Sequence, residues 1–351
     1  MSRQYNRSAV TMRDVAETSG VAQSVVSEVL AGKHRRYRQE TIKRVIETAR
    51  RLGYRPNHSA RAMRRGRFNN LTLLMSSSSS FLMAGLLEGI HEAVNAAHQH
   101  LSVAAVGSAQ LNLAQSIPHC LRELSSDGVI INYWVTIPPE VINLIHQSGW
   151  PCVWINLKQD ADCVYPDDWE GGKRAARMLL ELGHRRIAYM NYTSWLSNAH
   201  YSSLERRAGY EAAMREAGLE PLVFDGHPLP QPDQLPAIKA VLQHYQPTAI
   251  ITYGDNEIPA VQHAAAELGW TIPRDLSLVT FQALWPEHLK VLQTMMTIPA
   301  YAMGKTAVEI LLRKIERPEQ LLPPIAVPCG FHPGHTCAPP RGQRQAASGG
   351  Q

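Results

Sequence analysis

From Val10 to Gly32 the chain carries two short stretches of helical periodicity, separated by Ser19-Gly20-Val21. Neither can persist alone, because isolated helices below about 12–15 residues are marginal in water. Each must bury an apolar face against a close neighbour, and a third amphipathic pattern from Gln39 to Leu52 provides one. Val15, Ala16, Val26, Val29, Val45, Ile46 and Leu52 recur at the spacing that closes a small helical core. Thr11 is a good N-cap and Asp14, three residues on, completes a variant capping box, so the first helix runs from about Met12 to Thr18. The second, about Ala22 to Leu30, buries Val26, Val29 and Leu30 and stops at Gly32. Gln23, Ser24, Ser27 and Glu28 are left to face outward. Two short helices around a tight turn, the second with a polar face, are the layout of a helix-turn-helix DNA reader.

Charge supports this independently. The first 67 residues hold 16 Lys and Arg against 5 Asp and Glu, whereas the remaining 284 hold 19 against 25. A basic arm on a mildly acidic body points to nucleic acid as the arm's partner. In a major groove Gln23 can pair with adenine, Val25 can touch a thymine methyl, and Glu28 can accept from a cytosine amino group if a neighbouring cation offsets its charge. Ser24 and Ser27 share that outward face. Lys33, Arg35 and Arg36, between the second and third helices, suit phosphates, which supply salt-dependent affinity without sequence information. Residues 10–56 are therefore expected to form a DNA-binding domain. The cationic stretch 57–69 that follows is either a flexible linker or a hinge that becomes helical only on DNA.

Residues 70–337 alternate short apolar runs with helical patterns. Runs at 71–75, 102–106, 128–131 and 151–155 read as buried parallel strands, and a second set lies at 186–190, 222–224, 249–252 and 277–281. Two α/β lobes follow, each a parallel sheet wrapped by helices, with a ligand site expected between them at the strand C-terminal ends. Residues 338–351, rich in Gly, Gln, Ser and Ala towards the end, are expected to be a disordered tail.

Other function classes find little support. The N-terminus has no apolar secretory core, and no apolar run is long enough to span a membrane, so a cytoplasmic protein is expected. Five cysteines, an odd number without Cys-x-x-Cys spacing, fit reduced thiols and neither a disulfide framework nor a zinc site. Phosphate-loop, dinucleotide-loop and nucleophile-elbow motifs are missing from suitable contexts, so no enzyme and no cofactor is expected. His332, His335 and Cys337 superficially resemble a metal cluster, but Pro333 and Gly334 break any helix there and no second ligand pair lies nearby in sequence.

Across residues 10 to 337 the chain resembles the LacI/GalR family of bacterial transcription repressors. The head carries the family pattern at Thr11, Asp14, Val15, Ala16, Ser19, Gly20, Val21, Val26 and Ser27, and Tyr54, Pro56 and Asn57 stand where the family's hinge begins. The body repeats its landmarks: Asp167-Asp168 with Gly171-Gly172, Leu182 to Ile187, Arg206 with Gly209-Tyr210, Pro247 to Ile250, Asp255, Ile272 to Ser277, and Met303-Gly304-Lys305. The resemblance implies a bilobed, periplasmic-binding-protein-like body crossed three times by the chain, with one lobe at about 70–167 and 299–326 and the other at about 168–298 and 327–337. It implies a homodimer on a pseudo-palindromic operator, with paired hinge helices in the minor groove. There Met63 would be the apolar wedge, Ala60 would lie near the groove floor, and Arg61 would reach its walls or the phosphates.

For a small-molecule effector, possibly a sugar or a derivative, Ser80 and Phe81 after the first strand and Trp195 after the strand at 186–190 are candidates by their strand-end positions, and the resemblance points to Asp167, Arg206, Asp255 and the position of Gln282. Two departures matter. The family's strand-end asparagine is Gly254 here, and an expected aspartate is Gln282, followed by Ala283. An unorthodox sugar, an anion held by Arg206 and no small effector at all stay open. So does a small-molecule or carbohydrate-binding module whose head binds DNA only non-specifically.

Overall fold

The computed structural model describes residues 10–54, 67–76, 83–106, 125–132, 142–143, 145, 147, 149–192, 200–225, 231–283 and 293–341. The chain divides into two compact units between Phe68 and Asn69. The first holds three helices, α1 (Met12–Ser19), α2 (Gln23–Leu30) and α3 (Gln39–Leu52), with a 3-10 turn at His34–Arg36. Thr11 caps α1 and Asp14 returns the bond to the Thr11 amide, a reciprocal capping box. Gly20 ends α1 in the left-handed region at φ 67°, where a side chain would be strained. Val15, Ala16, Val26, Val29, Ile42, Val45 and Ala49 form the core. Leu30, Ile46 and Leu52 are only half-buried at its margin.

The second unit carries two six-stranded sheets. The first contains β1 (Asn70–Ser76), β2 (His100–Val106), β3 (Gly128–Asn132), β4 (Cys152–Ile155), β5 (Cys163–Asp167) and β11 (Ile325–Pro328), all parallel, in the order β11-β5-β4-β3-β1-β2. On one face α4 (Met83–Ala96) and α9 (Ala300–Glu316) supply Leu86, Ile90, Met303, Val308 and Leu311 to the core. The second sheet contains β6 (Ile187–Asn191), β7 (Leu222–Asp225), β8 (Ala249–Thr252), β9 (Ser277–Ala283), β10 (Thr294–Ile298) and β12 (Gly330–His332), in the order β12-β10-β9-β8-β6-β7. Only β12 runs antiparallel to its neighbour. Helices α5 (Asp168–Glu181) and α6 (Tyr201–Glu216) cover one face of it, and α7 (Gln231–Tyr245) and α8 (Ile258–Glu267) the other.

The chain passes between the lobes after β5, after β10 and after β11. The first follows Asp167 and the second follows Ile298. The third falls at Cys329 and not after Ala326, because Val327 and Pro328 still pair with Pro166 and Asp167. The expected tail also starts too early. Ala338 exchanges hydrogen bonds with Ser277 and accepts from His184, and Arg341 pairs with Asp275, so residues 338–341 are docked on the second lobe. All eight expected strands are present, whereas β5, β10, β11 and β12 were not anticipated. Pro166 sits inside β5 and Pro328 ends β11, and proline argues against a strand when only the sequence is read. Residues 107–124, part of the expected alternation of apolar runs and helical patterns, lie outside the described residues. No helix among the described residues is long and apolar enough to cross a membrane.

The helix pair α5–α6 is in backbone contact: a Cβ on Gly172 would overlap the Arg206 carbonyl, and one on Gly209 the Trp169 carbonyl. The backbone on the far side cannot yield as a flexible side chain would. Gly209→Ala should therefore destabilise the body by about 1–3 kcal/mol or more, read as a lowered denaturation midpoint, while a substitution at exposed Glu220 should cost far less.

Candidate functional site

On the head, Gln23, Ser24 and Ser27 are exposed along α2, and Lys33, Arg35 and Arg36 are exposed in the turn that follows. Val25 is half-buried against the core. Thr11 is exposed, with its side chain engaged in the capping box; the hydrogen bonds from its backbone and hydroxyl hold the Asp14 carboxyl below its ordinary range. Glu28 does not stand free. Tyr37 donates its hydroxyl to Glu28 Oε2 at 2.9 Å, and Arg36 lies 3.7 Å from Oε1. Asn57, Ala60, Arg61 and Met63 lie outside the described residues.

In the body, Ser80, Phe81 and Trp195 also lie outside the described residues. Asp167 is the N-cap of α5, its carboxylate accepting from the Glu170 amide at 3.1 Å. Its neighbour Asp168 is the acid that matters electrostatically. Arg206 Nε donates to Asp168 Oδ1 at 2.7 Å and Nη1 to the Tyr253 carbonyl at 2.8 Å, with side-chain exposures of 6% and 0% for the pair. The guanidinium also lies over the Phe281 ring at 4.4 Å and the Tyr253 ring at 4.9 Å. Burial acts most strongly, against its charge, but the Asp168 carboxylate together with Tyr253 and Tyr189 holds Arg206 above its ordinary value. An arginine expected to clamp a ligand is already neutralised inside the protein. Asp255 and Gln282 come together as well, Gln282 Nε2 donating to Asp255 Oδ2 at 3.2 Å.

Several polar residues at the strand ends were not singled out from sequence. Asn132, at the end of β3, is 1% exposed and neither atom of its amide has a partner among the described residues. Asn191, at the end of β6, donates to Ser203 Oγ at 2.7 Å but its Oδ1 has no partner among them. Buried amides without partners are costly and mark places where a ligand's hydrogen bonds would be gained. Glu257 is fully buried and accepts from the amides of Tyr192 and Gly254. Each sits at the end of an apolar run or beside a turn, with no motif around it.

Three contacts join the lobes beside this cluster. Lys158 pairs with Glu205 at 2.7 Å, Tyr165 meets Tyr201 edge to face at 6.1 Å, and His200 Nε2 reaches the Asn156 carbonyl at 2.8 Å. The backbone of Asn156 is left-handed, at φ 59°, a conformation asparagine tolerates. His200 also caps α6, its Nδ1 accepting from the Ser202 amide. These two roles select the neutral ring with its proton on Nε2. Elsewhere, burial pushes the thiols of Cys152 and Cys329 up to about 12 and Cys163 to about 11, which keeps them protonated and unreactive.

Comparison with known proteins agrees with both units. Residues 11–57 match the bacterial regulatory proteins of the lacI family, and residues 176–337 match the periplasmic binding protein-like domain. The HTH-type transcriptional repressor PurR of Escherichia coli O1:K1 / APEC is 26% identical over 315 residues, covering 87% of this chain and 90% of its own. PurR of Vibrio atlanticus (strain LGP32) is 24% identical, over 87% and 92%. Among solved structures, the lac repressor dimer bound to operator and the anti-inducer ONPF superposes with a TM-score of 0.78 at 18% identity, covering 94% of this chain and 100% of that one. A complex of the transcriptional regulator CelR with cellobiose gives a TM-score of 0.64 at 22% identity, over 93% and 99%. The fold and the head thus define a DNA-binding transcription regulator with a periplasmic-binding-protein-like body. The chain belongs to the LacI/GalR family.

The His200 bridge gives the body a pH dependence. Burial, opposed by the Asn156 hydrogen bond and the Asp168 charge, lowers the ring's pKa below its ordinary 6.5, with the Arg206 charge acting in the same direction. A depressed histidine contributes stability that is complete above the unfolded value and is lost as pH falls through the folded one. Between pH 7.5 and 5.5 the wild type should therefore lose a few degrees of Tm that His200→Gln, which can keep both bonds without titrating, retains. Equal pH profiles for the two proteins would remove His200 from this role.

Proposed function

We propose that this chain is a cytoplasmic transcriptional repressor that binds a pseudo-palindromic operator as a homodimer and is modulated by a small molecule in the interlobe cleft. The observation that carries it is the closed helical head, whose second helix exposes Gln23, Ser24 and Ser27 on a unit rich in cations. In this reading residues 10–56 read the half-site and 57–69 form the hinge. The body extends from about residue 70 to Arg341. Gln23, Ser24, Val25, Ser27 and Glu28 face base edges; Thr11, Lys33, Arg35, Arg36 and Asn57 lie on phosphates. Met63 is the minor-groove wedge, flanked by Ala60 and Arg61. A ligand that favours one lobe arrangement biases hinge folding by a coupling of about 1–3 kcal/mol.

The internal pairing of Arg206 with Asp168 favours an uncharged ligand over an anion. Ser80, Phe81, Asp167, Trp195, Arg206, Asp255 and Gln282 remain the proposed surroundings, with Asn132 and Asn191 added as direct hydrogen-bonding groups and Asp167 and Arg206 acting through the fold. The solved relatives bound to cellobiose and to ONPF are consistent with an uncharged sugar-like ligand.

Two measurements test this. The full-length protein should protect one defined palindrome at physiological salt, and Met63→Gly should weaken that complex far more than binding to random DNA; a module with only non-specific affinity leaves no unique footprint. In a thermal-shift screen, uncharged sugars and nucleosides should include stabilising ligands, while their phosphorylated counterparts should not; stabilisation by the phosphorylated forms alone would reverse the ligand class.

A further inference from the structure

We infer that Tyr37 and Arg36 turn Glu28 into a fixed, charge-compensated hydrogen-bond acceptor, and that this makes the base pair opposite Glu28 the most stringently read position of each half-site. The inference rests on the reading of α2 as the base-reading helix. Gln23, Ser24 and Ser27 carry groups that both donate and accept, so a rotation of the amide or hydroxyl lets each meet more than one base edge. An ionised carboxylate only accepts. Guanine presents two acceptors in the major groove and thymine an acceptor and a methyl, so a carboxylate placed there meets like partners and loses its own hydration. Cytosine presents an amino donor, and adenine an amino group beside an acceptor. Among these four, cytosine is the base a carboxylate satisfies without conflict.

Such a filter works only if the carboxylate cannot swing aside. Here it is held from behind. The chain leaves α2 through the Lys33 amide, which donates to the Glu28 carbonyl at 3.0 Å, and turns back through the 3-10 segment, where His34 Nε2 lies 3.2 Å from the Val29 carbonyl. That turn delivers Tyr37, whose ring packs on the head core and whose hydroxyl donates to Glu28 Oε2 at 2.9 Å. The side chain of Glu28 keeps 29% of its surface exposed, with Oε1 3.7 Å from Arg36. Tyr37 therefore takes up one oxygen and fixes the torsions, and Arg36 offsets the charge that would otherwise repel flanking phosphates. The ordering cost is met when the head folds and not when DNA binds. Tyr37 is thus a positioning residue, and Glu28 the group that touches the base.

The test is a random-library binding selection with the full-length chain, its Glu28→Gln variant and its Tyr37→Phe variant, with circular dichroism confirming that all three heads are helical. The wild type should select cytosine at one position in each half-site. Glu28→Gln, whose amide can donate, should lose about tenfold or more of the discrimination at that position and leave the other positions unchanged. Tyr37→Phe should keep the same preferred base with several-fold weaker discrimination. An identical motif from wild type and Glu28→Gln, or a uniform affinity loss with an unchanged motif, would overturn the proposal while the operator reading stands. A wild type that selects no motif overturns both.

Discussion

The ion pair between Asp168 and Arg206 is the contact on which the sensor body is organised. Two charges buried together lose several kcal/mol of hydration each, and their attraction compensates only when the geometry is good and the remaining hydrogen-bonding capacity is used. Here Nε faces Asp168 Oδ1, Nη1 holds the Tyr253 carbonyl, and aromatic rings of Phe281 and Tyr253 cover the planar cation, while Asp168 Oδ2 is left without a hydrogen-bond partner among the described residues. One side chain thereby ties the start of α5, at the first crossing between lobes, to α6 and to the ends of β8 and β9. Removing one partner of such a pair costs about 3–5 kcal/mol, because the other stays buried and uncompensated. A cation committed in this way holds the walls of the second lobe together.

That commitment also fixes the beginning of α6. Arg206 lies less than two turns along the helix from His200, Tyr201 and Ser202, so anchoring the arginine sets where His200 meets Asn156 and where Tyr201 meets Tyr165. Interlobe contact is then a consequence of second-lobe packing and not an independent element. The Gly172 and Gly209 approaches serve the same end, since α5 and α6 must lie close for Asp168 and Arg206 to meet.

The head was almost wholly legible in the sequence, and the reason is that its structure is local. Thr11, Asp14 and Gly20 bound α1, Gly53 stops α3, and seven small apolar residues at helical spacing close the core. The buried strands of the body were legible for a similar reason, as apolar runs such as Gly128 to Ile131 admit few other placements. Strands β5 and β11 were not, because Pro166 and Pro328 oppose strand propensity and only the neighbouring strand shows that their remaining groups are paired. With two adjacent aspartates, sequence does not show which caps α5 and which pairs with Arg206; Asp167 takes the first role and Asp168 the second.

By itself, the sequence determined what each segment is: a basic three-helix reader, a pair of α/β lobes and the order in which the chain visits them. Composition, caps and periodicity act over a few residues, so they survive reading one residue at a time. Which polar groups are already spent was decided only by tertiary structure. Arg206 on Asp168, Glu28 on Tyr37, Gln282 on Asp255 and Ala338 on Ser277 are pairings across 38, 9, 27 and 61 residues. No local pattern encodes such a pairing, because a hydrogen bond is satisfied by distance and direction in space, and those exist only once the chain has closed.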